Sequence, residues 1–224
     1  MPMEMTPLVE KLALHEADIG GLTAHTGTLG TRPVVAIVTG MGTRLATEGT
    51  TRLLDAVSVG RVVVVGITGA VDDTTPIGTV VNPELVVDSA TGDEFRPAPI
   101  GLGPPTGTMW TGDILLTDPD VIAGLRARGV VSLDMETAAI AAVCERRGVP
   151  WSVIRVISDR ATDGSIDEEL FGLSNQDGTP NMDAITRYMS EHPDRLAQMA
   201  QLAENAALAT DTAAETAIRL CAAE

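Results

Sequence analysis

Leu133-Asp134-Met135-Glu136-Thr137-Ala138-Ala139-Ile140, followed by Trp151-Ser152-Val153-Ile154-Arg155-Val156-Ile157-Ser158-Asp159, is the stretch on which the fold turns. The first block predicts the opening of a helix. The second is an apolar run of strand length that ends in an acid, the pattern of a strand covered on both faces. Neither Arg155 nor Asp159 is needed to build such a strand. Glu136 and Asp159 are therefore expected at the ends of two regular elements, where a cleft can hold them rigidly.

Outward from this core the chain alternates. Val34 to Val38 is an apolar run expected to be a strand covered on both faces, leading through Thr39-Gly40-Met41-Gly42-Thr43 into a helix with Leu45, Leu53, Leu54 and Val57. Val62 to Val65 predicts a second buried strand that ends in a glycine-rich turn, Gly66-Ile67-Thr68-Gly69-Ala70. Val80 to Val87 predicts a third. Asp118 to Arg128 reads as a helix with Pro119 in its first turn. Asp134 to Arg147 reads as a helix closed by Gly148, with Pro150 beyond. The polar segment from Asp163 to Asn181 predicts a loop. From Asp183 onward the chain is Ala-rich and helical, broken near Pro193. One α/β domain over residues 1–224 is the simplest organisation.

Composition narrows the function. The formal net charge is -16, which repels phosphate backbones and argues against a nucleic-acid partner. Aromatic residues are 2% of the chain, so Val, Ile, Leu and Ala must fill the core. Cys144 and Cys221 sit in helical patterns and suggest no disulfide framework, which fits a cytoplasmic setting. No metal-ligand spacing is present, and His15, His25 and His192 are scattered, so no metal or other cofactor is called for. No apolar run reaches the length of a membrane span, and the first residues lack a secretion-signal pattern. The glycine-rich turns after apolar strands could offer backbone N–H groups to a ligand. They match neither a dinucleotide fingerprint nor a phosphate loop, and a plain tight turn explains each equally well.

Thr39-Gly40-Met41-Gly42, Gly66-Ile67-Thr68-Gly69-Ala70, Thr111-Gly112-Asp113, Asp134-Met135-Glu136-Thr137-Ala138-Ala139 and Arg155-Val156-Ile157-Ser158-Asp159 occur in that order. Together they resemble the nucleoside phosphorylase superfamily, and most closely its methylthioadenosine/S-adenosylhomocysteine nucleosidase branch. The likeness covers most of residues 34–160 and fades in the C-terminal third. It implies a three-layer α/β/α sandwich around a mixed, curved sheet, and cleavage or formation of the bond between a nucleobase and a sugar.

The resemblance also implies roles. Asp159 matches the acid that protonates or hydrogen-bonds N7 of a purine, a task suited to a raised pKa. Glu136 matches the carboxylate that grips the ribose hydroxyls and stabilises positive charge. Met135 matches a residue packed against the sugar, and Arg155 an arginine beside the acidic cluster. Ser158, Thr68, Gly69, Gly42 and Leu115 fall in the matching binding segments. Each also has a plainer reading: a turn cap for Asp159, a first-turn helix acid for Glu136, core packing for Met135, a buried ion pair for Arg155.

Three departures shape the expectation. Val64 stands where phosphorylases carry a phosphate-binding Arg, and Ile67 where a hydroxyl residue is expected; Arg44 is the nearest other cation, with an exposed helix position as the preferred reading. Water is thus favoured over phosphate as nucleophile. Leu115 stands near the place of an aromatic that stacks on the base. The first strand of the family is missing, and Glu4 is the only carboxylate at hand to serve as general base. The expected activity is an N-glycosyl hydrolase of a purine nucleoside or a 5′-modified relative. The alternatives are a phosphorylase and a non-catalytic nucleoside-binding protein. The resemblance also implies a homodimer or larger homo-oligomer.

Overall fold

Proline, glycine and apolar periodicity punctuate the chain into short elements. The computed structural model describes residues 1–223. Helix α1 (Pro2–Leu12) is followed by β1 (His15–Ile19), β2 (Leu22–Leu29) and β3 (Arg32–Ile37). Helix α2 (Thr43–Ala56) leads to β4 (Val62–Ala70), then to β5 (Val80–Val81), β6 (Leu85–Asp88), β7 (Glu94–Phe95) and β8 (Thr108–Thr111). Next come α3 (Pro119–Ala127), β9 (Val130–Asp134), α4 (Thr137–Arg147) and β10 (Trp151–Arg160). The remainder holds α5 (Glu168–Phe171), α6 (Met182–Glu191) and the long α7 (Leu196–Ala222).

Seven strands form the central sheet in the order β5-β10-β4-β9-β8-β6-β7. It is mixed: β10 runs parallel to β4, while β9 runs antiparallel to β4 and parallel to β8. Side chains of β10 and β4 alternate between two helical layers, as the two-residue period of a strand requires. Val64, Val153 and Ile157 pack with Ala138 to Cys144 of α4 and with α2. Ile154 and Val156 face the other way, onto Ala209, Ala213, Ala217 and Leu220 of α7. The α/β/α layering expected from the sequence is thus present.

Several expectations are corrected. Val34 to Val38 does not enter the central sheet. Its strand, β3, closes a separate antiparallel sheet with β2 and β1 and is at most half-buried. An apolar run specifies a strand but not its partner. Gly66 to Ala70 is not a turn, because β4 continues straight through it. The third strand is split into β5 and β6, with Pro83, which lacks an N–H, between them. Asp134 ends strand β9, and helix α4 starts only at Thr137. The segment 163–181 is not all loop, since it contains α5. No helix among the described residues is long and apolar enough to cross a membrane.

Ile154 is fully buried between the sheet and α7. Ile154→Ala should cost about 2–5 kcal/mol and Ile154→Val about 0.5–1.5 kcal/mol. Urea titration checks this: the midpoint should fall in that order with the slope unchanged.

Candidate active site

The site opens where the sheet changes sense. Strands β4 and β9 touch over only two pairs, Gly69 with Leu133 and Ala70 with Ser132. The chain then leaves the sheet at Asp134 and turns into α4. In α/β sheets such a change of direction leaves a crevice beyond the strand ends. A cavity of about 500 Å³ lies there, a volume in the range of small-molecule sites.

Asp134 organises the near wall. One of its oxygens accepts the Thr111 hydroxyl at 2.5 Å. The other accepts the Thr137 amide at 2.9 Å, the Thr137 hydroxyl at 2.5 Å and Arg155 Nη2 at 2.8 Å. This one carboxylate therefore satisfies orphan donors at the start of α4 and anchors a buried guanidinium.

Arg155 rises from β10 and crosses β4 at its register partner, Gly66. A Cβ at Gly66 would stand 2.5 Å from Arg155 Nη1 and 2.2 Å from Glu4 Oε1, so only glycine leaves room. Beyond the crossing, Arg155 Nη2 reaches Glu136 Oε2 at 3.0 Å, and Nη1 reaches the Ile67 carbonyl at 3.0 Å and Glu4 Oε1 at 3.5 Å. The Ile67 amide donates to the same Glu4 oxygen at 2.9 Å. The Gly42 amide fixes the other oxygen of Glu136 at 3.0 Å. Gly42 is itself held in place because Asp113 accepts the amide and hydroxyl of Thr43, at 2.7 and 2.6 Å.

Asp159 takes a different route to the same cavity. The register of β10 on β4 slips between Ile157 and Asp159, so Ser158 is a bulge and Asp159 falls opposite Gly69. Bulges of this kind re-aim side chains. A Cβ at Gly69 would lie 2.9 Å from Asp159 Oδ2, so this glycine too makes room for an acid. Ser158 donates to Asp159 Oδ1 at 2.5 Å. Gly66 and Gly69 are three residues apart, so the Arg155 cluster and Asp159 are separated by about 10 Å along the strand.

The environment shifts both acids. Burial in the cavity wall holds Asp159 above the ordinary aspartate range; the Ser158 hydroxyl pulls the other way and nearby Asp163 adds to the rise. Burial likewise raises Glu136; Arg155 opposes this, while Asp134 and Glu4 reinforce it. Burial alone would lower Arg155, but Asp134, Glu136 and Glu4 outweigh it and hold the guanidinium firmly charged.

The structure brings Glu4, Thr68, Gly69, Leu115, Met135, Glu136, Arg155, Ser158 and Asp159 onto one cavity. Gly42 joins through its amide. The Thr68 hydroxyl is directed at the Leu133 carbonyl, 2.7 Å away, which fixes its proton in the wall. Val64 is buried in the core, and Arg44 is exposed and paired with Glu48, as preferred from the sequence. Sequence reasoning missed Thr111 and Thr137, the partners of Asp134, and the lining residues Trp110, Arg160, Ile166 and Phe171. Thr111 and Thr137 stood inside quoted motifs, but nothing local marks a hydroxyl as the partner of a distant acid.

A family model described as the phosphorylase superfamily matches residues 1–106 and 100–191. The chain belongs to this superfamily. Among members, it is 31% identical over 192 residues to a 5′-methylthioadenosine/S-adenosylhomocysteine nucleosidase of Chromohalobacter salexigens, covering 70% of this chain and 82% of that one. It is 28% identical over 196 residues to the enzyme of that name from Shewanella denitrificans, covering 74% and 85%. In fold, it matches the Helicobacter pylori nucleosidase of that name with a TM-score of 0.76 at 17% identity, over 100% of this chain and 95% of that one. The Colwellia psychrerythraea nucleosidase, solved in complex with adenine, matches with a TM-score of 0.72 at 24% identity, over 98% and 90%.

Loss of the guanidinium tests the cluster. Arg155→Met leaves Asp134 and Glu136 buried without their cation and should cost about 3–5 kcal/mol at pH 7. Burial already raises Glu136 and Arg155 opposes that rise, so without Arg155 the penalty is present at high pH and relieved as pH falls. The melting temperature of Arg155→Met should therefore rise between pH 7 and pH 5 by clearly more than that of the wild type, in which Asp159 and Glu136 are also raised but Arg155 offsets the cluster.

Proposed function

We propose that this chain is a nucleosidase, an N-glycosyl hydrolase that cleaves the base–ribose bond of a purine nucleoside or a 5′-modified nucleoside of the methylthioadenosine/S-adenosylhomocysteine kind. The observation that carries this reading is the pairing, across one cavity, of a desolvated acid with raised pKa and a carboxylate cluster held by one arginine. The names of the relatives point the same way.

In this mechanism Asp159, protonated, donates to N7 of the purine as the C1′–N9 bond breaks. The bond electrons pass to the base, and the sugar becomes oxocarbenium-like. Glu136 binds the ribose hydroxyls, and its charge, with that of Asp134 and Glu4, favours the developing cation. Met135 packs on the sugar. A water attacks C1′ and yields its proton to Glu4, which the Ile67 amide and Arg155 hold in a fixed orientation.

Two observations favour water over phosphate. The position of the phosphate-binding arginine is the buried Val64, and Arg44 points into a surface ion pair. Arg155 is already matched with carboxylates. The seating of Glu4 also supports turnover over a non-catalytic binding role. The apolar cavity rim, where Ile114 is 78% exposed, supports a homodimer or larger homo-oligomer that covers it.

Base release from a nucleoside panel, with and without phosphate, tests the reading: release should be independent of phosphate, and strict dependence would sink it. Asp159→Asn should lower kcat by about 10²–10⁴-fold, and Glu136→Gln by about 10²–10³-fold. Wild-type rates in either variant refute the roles. A raised folded-state pKa means ionised Asp159 costs stability above its ordinary pKa range. Asp159→Asn should thus melt at or above the wild-type temperature at pH 8 while losing activity. For the wild type, kcat should fall as pH rises through the raised value of Asp159, where the acid form is lost.

A further inference from the structure

We propose that Trp110 is a substrate-binding residue whose indole supplies an aromatic wall for the base. This inference rests on the nucleosidase reading and deepens it. The place where an aromatic was expected holds Leu115, which lines the cavity without a ring. Trp110 lines the same cavity from another element, the end of β8.

Its position is fixed by the site itself. Trp110 pairs with Leu133, and the next residue, Thr111, pairs with Asp134 and donates to its carboxylate. On its inner side the indole packs with α3, and the Arg128 guanidinium lies 5.1 Å from the ring centroid. Leu133 and Ala161 pack against the same buried cluster as the indole, line the same cavity and bracket the acid: Leu133 pairs with Gly69, the partner of Asp159, and Ala161 lies two residues beyond Asp159. A base that brings N7 to Asp159 while its sugar meets Glu136 therefore has to extend along this wall. An indole is a large, stiff surface that stacks on any nucleobase, and such stacking contributes on the order of ten- to hundred-fold in affinity.

The chain has two tryptophans, and the other provides the control. Trp151 is 3% exposed and starts β10 eight residues before Asp159, about 26 Å along the strand. In a Trp151→Phe protein all indole emission comes from Trp110. Titration with adenine, and separately with hypoxanthine, should quench this emission saturably, with the same half-point as the binding heat measured by calorimetry. Trp110→Leu, which keeps an apolar side chain in the α3 contact, should raise KM on the order of ten- to hundred-fold with a much smaller change in kcat. Trp110→Phe should restore most of the loss. Binding heat without any change in Trp110 emission, or a wild-type KM in Trp110→Leu, overturns this assignment and leaves the nucleosidase reading standing. Should Trp110→Leu fail to fold, as judged by circular dichroism, the quenching titration and Trp110→Phe decide. Absence of both turnover and base binding in the wild type overturns the two readings together.

Discussion

A guanidinium buried to 4% exposure, where the Arg155 side chain of β10 crosses β4, is the constraint around which the rest is arranged. An isolated charge in that position would cost many kcal/mol, so every neighbour must answer it. Asp134, at the end of β9, and Glu136, before α4, meet one of its terminal nitrogens. The other meets Glu4 of α1 and the Ile67 carbonyl of β4. Arg155 thereby ties β10, β4, β9, α4 and α1 together at one point. The same contacts fix the orientation of three carboxylates, so the fold and the site share one interaction.

The glycines of β4 follow from it. Read in isolation, Gly66-Ile67-Thr68-Gly69 has the composition of a turn. Its actual function is to remain a strand with two notches, Gly66 for Arg155 and Gly69 for Asp159. Both charged side chains come from the neighbouring strand β10, in register with the notch each one needs. Strand interiors disfavour glycine, and a glycine there marks a close approach. This explains why the motif and the strand Arg155 to Asp159 belong together although about ninety residues separate them.

Much of this was legible in the sequence. The helices α3, α4, α6 and α7 and the strand β10 announce themselves through caps, proline and apolar runs, which are local signals. Arg155 and Asp159 of the candidate site stood out because an apolar strand has no packing reason to carry either. What escaped was relational. The sequence does not say that Val34 to Val38 pairs with β2 instead of joining the central sheet, since pairing partners are set by tertiary context. Nor does it reveal the bulge at Ser158, which alters the register by one residue and thereby decides where Asp159 points. The placement of Glu4 was the least legible of all, because it depends on α1 folding back onto β4, a contact with no local signature.

The two ends of the cavity differ in the charge they can bear. At one end, three carboxylates, Asp134, Glu136 and Glu4, face two cations, Arg155 and the Met1 ammonium that pairs with Glu4, so the cluster keeps a net negative charge when all are ionised. At the other, Asp159 is pushed toward its neutral, proton-bearing form. Breaking the bond between a base and a sugar separates charge in this same sense: the sugar turns cationic and the base anionic. A fixed negative end under the sugar and a proton donor under the base favour that separation, and both are in place before any substrate enters, so little reorganisation is required. The polarity also bears on the choice of nucleophile. In the proposed mechanism, a dianionic phosphate would have to approach the sugar past the carboxylate cluster, whereas a neutral water meets no such repulsion and has Glu4 as the proposed acceptor for its proton. On the proposed reading, then, the electrostatics that stabilise the cationic sugar also select the hydrolytic outcome.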